Sequence, residues 1–144
     1  MLTLLSLLVA LFAAAPVQAA ESPQEQLNRL PLLWAQAASV GDMDQLMSLY
    51  APDAFIHVVF TSDELRGLDQ IRDYYTKYSA DPGKVTITAV EESQILGGNV
   101  GILSGSALVE FPGQQPMTTH FSIVATWSGE RWTVQLQHTS RVDK

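Results

Sequence analysis

The chain is expected to fold as one α+β domain, with three helices packed on a mixed, mostly antiparallel sheet. Three observations carry this expectation. Apolar residues recur at helical spacing in the N-terminal half, as in Leu27, Leu30, Trp34 and Ala37, and from Val85 onward the pattern switches to period two. Turn-forming pairs then punctuate the second half at Gly97-Gly98, Pro112-Gly113 and Ser128-Gly129. Helices gathered ahead of such a meander indicate α+β, not a parallel α/β sheet, and 144 residues suit one domain of that kind.

Residues 1–19 read as a signal peptide and 20–144 as the mature domain. The stretch from Leu2 to Ala15 is apolar or small apart from Thr3 and Ser6, which is too short for the roughly 20 apolar residues of a membrane-spanning helix. Pro16 breaks it, and Val17 and Ala19 occupy the small-residue positions that a signal peptidase reads, so cleavage is expected after Ala19. Only the amino terminus supplies positive charge to this leader. The mature protein is expected to be exported, periplasmic or secreted, and free of the membrane. With no cysteine, disulfides, lipid attachment, thiolate catalysis and Cys-ligated zinc all fall away. All 15 acidic and 8 basic residues lie in the mature part, and its net charge of −7 argues against nucleic acid as a partner.

Ser22-Pro23-Gln24-Glu25 offers a capping box with proline at the first helical position. Leu27, Leu30, Trp34, Ala37 and Ala38 then form one apolar stripe, and Pro31 implies either a kink or a helix that starts there. Gly41 supplies a C-cap and Asp42 the next N-cap, and Met43, Leu46, Met47 and Tyr50 form the stripe of a short second helix. Ala51-Pro52-Asp53 is expected to end it, with Asp53 as a turn former. The run Ala54 to Phe60 reads as a strand that is apolar on both faces. A third helix follows Gly67, with Leu68, Ile71, Tyr75 and Tyr78 inside and Tyr74 beside them. Four further strands complete the order α-α-β-α-β-β-β-β.

That order, with the segment WAQAASVGDMDQLMSLYAPDAFIH, resembles the NTF2-like superfamily, which includes SnoaL-like cyclases, ketosteroid isomerase and the association domain of calcium/calmodulin-dependent kinase II. The pieces are the Gly41-Asp42 break, LYAPDA at residues 49 to 54, G-x-x-x-I-x-x-Y-Y from Gly67 to Tyr75, and a closing G-x-x-W strand ending in His138-Thr139-Ser140. The last looks most like the association-domain-like (DUF4440-type) bacterial proteins. The resemblance implies a cystatin-like cone with an apolar cavity at its wide end, and a homodimer through the outer sheet face.

Ketosteroid isomerase needs a carboxylate base, a tyrosine donor and a protonated aspartic acid. By the shared segments these fall on Val58, Trp34 and Thr119, so that chemistry is not expected. Histidine is the next general base, and His57, His120 and His138 all lie in strands, with His138 ahead because it sits in the end motif. Three histidines on three strands would suit zinc, but each reads as well as a satisfied pocket or core residue, and no metal or cofactor is expected. Trp34, Tyr50 and Tyr75 are candidate cavity residues, with at most one of Tyr74 and Tyr75 facing it. Arg141 is a candidate for a carboxylate ligand, although it lies opposite His138. The leading expectation is a dimeric module binding a small apolar or carboxylate-bearing molecule. The alternative is a SnoaL-like lyase, cyclase or isomerase with a pocket histidine as base.

Overall fold

The computed structural model describes residues 20–77 and 80–142. The leader expected over residues 1–19 lies outside these, as does Tyr78. Nine elements follow one another: α1 (Pro23–Val40), α2 (Met43–Ser48), β1 (Tyr50–His57), β2 (Leu65–Arg66), α3 (Gly67–Thr76), β3 (Lys84–Leu96), β4 (Val100–Glu110), β5 (Met117–Trp127) and β6 (Trp132–Arg141). The six strands form one sheet in the order β2-β1-β6-β5-β4-β3. Only β1 and β6 run parallel, so the sheet is mixed and mostly antiparallel, as expected. Among the described residues no helix is long and apolar enough to cross a membrane.

Local chemistry starts the helices where the sequence predicts. The Ser22 backbone and hydroxyl both donate to the Glu25 carboxylate at 2.7 Å, and the Ser22 hydroxyl accepts from the Glu25 amide, so two orphan donors of the first turn are satisfied. Helix α1 runs continuously through Pro31, whose side chain is fully buried, so neither a fresh start there nor a break is observed. Gly41 ends the helix at φ 69°, and the Asp42 carboxylate then accepts from the Gln45 amide at 3.0 Å to begin α2. Leu27, Leu30 and Ala37 from α1, Leu46 from α2 and Ile71 from α3 bury themselves against the inner face of the sheet.

Close approach of α1 to the sheet requires a missing side chain. A Cβ on Gly101 would stand 2.5 Å from a Leu27 methyl and 3.1 Å from the Trp132 ring, so any larger residue there pushes helix and sheet apart. The register of β3 against β4 slips twice, between Ile87 and Ala89 and between Val90 and Glu92. Such irregularities bend a strand and raise its twist, which lets the sheet wrap around the helices.

Four expectations need correction. Strand β1 begins at Tyr50, and Ala51-Pro52-Asp53 belongs to it; Pro52 is tolerated because the register with β6 is irregular between Tyr50 and Phe55. It ends at His57, which leaves Val58, Val59 and Phe60 in the following loop. Asp53 makes no turn and instead accepts from the Gln135 amide at 2.9 Å. The two-residue strand β2, paired at Phe55↔Arg66 and Ile56↔Leu65, is too short to leave a periodic signal.

Candidate functional site

Helices α1, α2 and α3 close against the end of the sheet where β4 finishes, β5 starts and β6 finishes, and a cavity of about 100 Å³ remains there. Trp34 from α1, Leu46 from α2 and Tyr74 and Tyr75 from α3 form one wall. Val109, Thr119 and Thr139 form the sheet wall. Phe60 and Phe111 meet edge to face at the mouth, with ring centroids 5.7 Å apart. Among the described residues, no Asp, Glu, His, Lys or Arg lines it. A more polar hollow of about 420 Å³ adjoins it, lined by Asp63, Glu64, Asp73 and Lys77.

Behind the apolar wall runs a hydrogen-bond network. The Trp34 indole N–H donates to the Tyr50 hydroxyl at 2.8 Å, and the Tyr50 hydroxyl donates to Gln137 Oε1 at 2.6 Å. The Tyr75 hydroxyl stands 3.4 Å from that of Tyr50, and Gln137 Nε2 donates to Thr139 Oγ1 at 3.3 Å. Burial pushes the Tyr50 phenol far above its usual range, against the smaller opposing effect of its bonds with Tyr75 and Trp34. Burial likewise raises Tyr75 well above the ordinary phenol value, and the neighbouring Tyr50 adds to it. Both phenols are therefore neutral across the physiological range and act as hydrogen-bonding groups, not as bases.

Trp34 and Tyr75 line the cavity, whereas Tyr50 sits behind the wall and is almost fully buried. Tyr74 and Tyr75 both line it, contrary to the expectation that only one would. Neighbouring helical positions point about 100° apart, yet the two rings pack edge to face at 5.0 Å and both belong to the lining. Tyr74 is the more buried of the pair, which reverses the expected order. Arg141 is an exposed residue at the end of β6, paired with Thr119, and does not line the cavity.

The three histidines are not at the cavity. A register slip between Val124 and Ala125 leaves Gln135 unpaired in β6, so Ala125 faces Val134 and Val124 faces Leu136. One extra residue inverts the alternation of everything after it. The sequence pattern grouped His138 with Trp132 and Val134; the bulge turns His138 to the outer face and brings Gln137 and Thr139 inward. His57 lies beside it with rings 6.1 Å apart and bonds Glu64 at 3.2 Å. His120, exposed, sits 3.2 Å from the Ser106 hydroxyl. Among the described residues no group of three or more metal-ligating side chains is arranged to hold an ion.

Trp34, Val58 and Thr119, the positions where the isomerase groups were sought, do converge on the cavity. They bring an indole, an alkyl group and a hydroxyl, none of which takes up a proton near neutral pH. Sequence reasoning missed Gln137, Thr139, Phe60 and Phe111. A glutamine between Leu136 and His138 in a β-branched strand is the one local sign of a buried polar group there, and only the bulge reveals its direction.

Comparison with solved structures identifies the same architecture elsewhere. A protein from Xanthomonas campestris described as a calcium/calmodulin-dependent protein kinase II association domain superposes with a TM-score of 0.76 at 16% identity, covering 94% of this chain and 99% of that one. An NTF-2-like protein from Shewanella oneidensis gives 0.71 at 18% identity, covering 83% and 99%. A ketosteroid isomerase-like protein from Erwinia carotovora gives 0.73 at 10% identity, covering 84% and 97%. At these identities the likeness is one of fold. No curated protein matches by sequence. The SnoaL-like domain family matches over residues 27–144, most of the chain, and the chain belongs to that family within the NTF2-like superfamily.

Proposed function

We propose that this chain is an exported binding module that holds a small, mostly apolar molecule in the cone cavity and works as a homodimer through the outer face of its sheet. One observation carries the binding reading: among the described residues the cavity is lined without a single ionisable acid or base apart from tyrosines, and the buried Tyr50 and Tyr75 phenols are held neutral. Such a lining favours burial of apolar surface and provides no group to move a proton at neutral pH. Of the two ligand classes expected from sequence, the apolar one is favoured, because no lysine or arginine is among the described residues that line the cavity. A lyase or isomerase driven by a pocket histidine loses its base, since His57, His120 and His138 lie outside.

The outer face supports pairing through Leu108, Val124 and Leu136, which are only partly covered, and through Ile102, which is 39% exposed. Phe55 contributes less than its hydrophobicity suggests, because the Arg66 guanidinium covers its ring at 4.9 Å. Native mass spectrometry of material from the exported fraction tests all three parts. The expected spectrum is a dimer of chains starting at Ala20, with a small neutral molecule retained. A monomer, an intact leader or a consistently empty protein removes the corresponding part.

A further inference from the structure

We infer that the ligand of this cavity carries a neutral hydrogen-bond acceptor, such as a ketone or ether oxygen on a body of about one ring, and that the Thr139 hydroxyl donates to it. The inference rests on the proposed binding role of the cavity and names its ligand class. It follows from counting protons along the network. An indole N–H can only donate, so the Tyr50 oxygen accepts from Trp34, and the Tyr50 proton goes to Gln137 Oε1 at 2.6 Å. That orients the Gln137 amide, with its nitrogen toward Thr139, and the Thr139 oxygen accepts at 3.3 Å. The chain therefore runs in one direction and ends on a hydroxyl proton in the cavity wall.

The hydroxyls of Thr119, Tyr50 and Tyr75 are already committed. Thr119 on the neighbouring strand gives its proton to the Ala107 carbonyl at 3.3 Å. In the Tyr50 and Tyr75 pair, Tyr50 has already spent its proton on Gln137, so Tyr75 is the donor across the 3.4 Å separation. Thr139 alone among these keeps a proton without an acceptor in its contacts, and each bond of a directed chain polarises the next. Ions are disfavoured, because among the described residues no charged side chain lines the cavity. The volume of about 100 Å³ sets an upper limit on size: an apolar cavity of about 150 Å³ accepts benzene, so the body is at most one small ring.

Three probes of similar size separate the possibilities: cyclohexanone, methylenecyclohexane, in which a CH₂ group replaces the oxygen, and cyclohexanecarboxylate. Binding is followed by NMR titration of the mature protein and of Thr139→Val and Thr139→Ser. Wild type is expected to bind the first two, and Thr139→Val to weaken cyclohexanone about threefold to tenfold while leaving methylenecyclohexane unchanged. Thr139→Ser, which keeps the donor, is expected to retain the preference. Cyclohexanone unaffected by Thr139→Val, or both probes weakened alike, overturns the inference and leaves the binding role standing. Tightest binding of the carboxylate overturns the neutral class. Failure of all three probes on wild type overturns the binding role itself, and the inference with it.

Discussion

The two faces of strands β5 and β6 carry opposite chemistry. Inward, Thr119, Gln137 and Thr139 present neutral groups whose protons are almost all assigned. Outward, His120 and His138 join His57 of β1 in a titratable row that ends on Glu64. All three histidines lie on the wet face, and the polar groups that these strands turn to the dry face, Thr119, Gln137 and Thr139, are ones that stay uncharged. Burial explains the division: an uncharged hydroxyl or amide is stabilised inside by one or two hydrogen bonds, whereas an ion needs a partner of opposite charge. The fold thus builds a receptacle on one side and leaves acid-base chemistry on the other.

Removing the Tyr50 phenol is the strongest way to break this contrast. Tyr50→Phe strands the Trp34 N–H and the Gln137 carbonyl together and is expected to cost about 2 to 4 kcal/mol. A cost below about 1 kcal/mol would show that water replaces the phenol. Next comes the bulge. Deleting Gln135 makes β6 alternate regularly with Leu136 and His138 still outward and Gln137 and Thr139 still inward, so cyclohexanone binding is expected to survive while the lost bond to Asp53 lowers stability by about 1 kcal/mol in urea unfolding. Loss of binding on deletion means that the extra residue does not set the faces.

Alkaline titration gives a third, smaller effect with a definite sign. The folded phenols of Tyr50 and Tyr75 are raised above their unfolded value of about 10, so the folded state keeps protons that the unfolded state releases. Their contribution is fully present below pH ~10 and is lost as the pH climbs above it. Absorbance of phenolate is expected to show Tyr50 and Tyr75 titrating late, and Tyr75→Phe to remove one of these late steps. The smallest effect belongs to the outer row. His57→Gln, His120→Gln and His138→Gln are each expected to change stability by less than about 0.5 kcal/mol and to leave cyclohexanone binding in the cavity unchanged. Loss of binding in any of them would place a histidine back in the function of the cavity.

The helix starts were legible because their causes are local: Ser22 and Glu25, or Asp42 and Gln45, bond across three residues. The Gly97-Gly98 turn was legible for the same reason, since both glycines adopt positive φ, 58° and 81°, which other residues resist. Trp34 and Tyr75 at the cavity were legible as aromatic residues on inward helical stripes. Tyr50 was named from the same pattern but assigned to the wrong element. It opens β1, where its amide-side neighbour Leu49 accepts a bond from Val134, a contact between residues far apart in the chain.

The sequence by itself determined the α+β class, the caps and hairpins that punctuate it, and a family whose fold encloses a cavity. These follow from periodicity and from hydrogen bonds within a few residues of one another. Only the tertiary structure decided which side chains meet in that cavity. Strand parity is set by pairing with neighbours, and one unpaired residue at Gln135 exchanges the fates of His138 and Thr139 without changing the composition or the alternation of the strand.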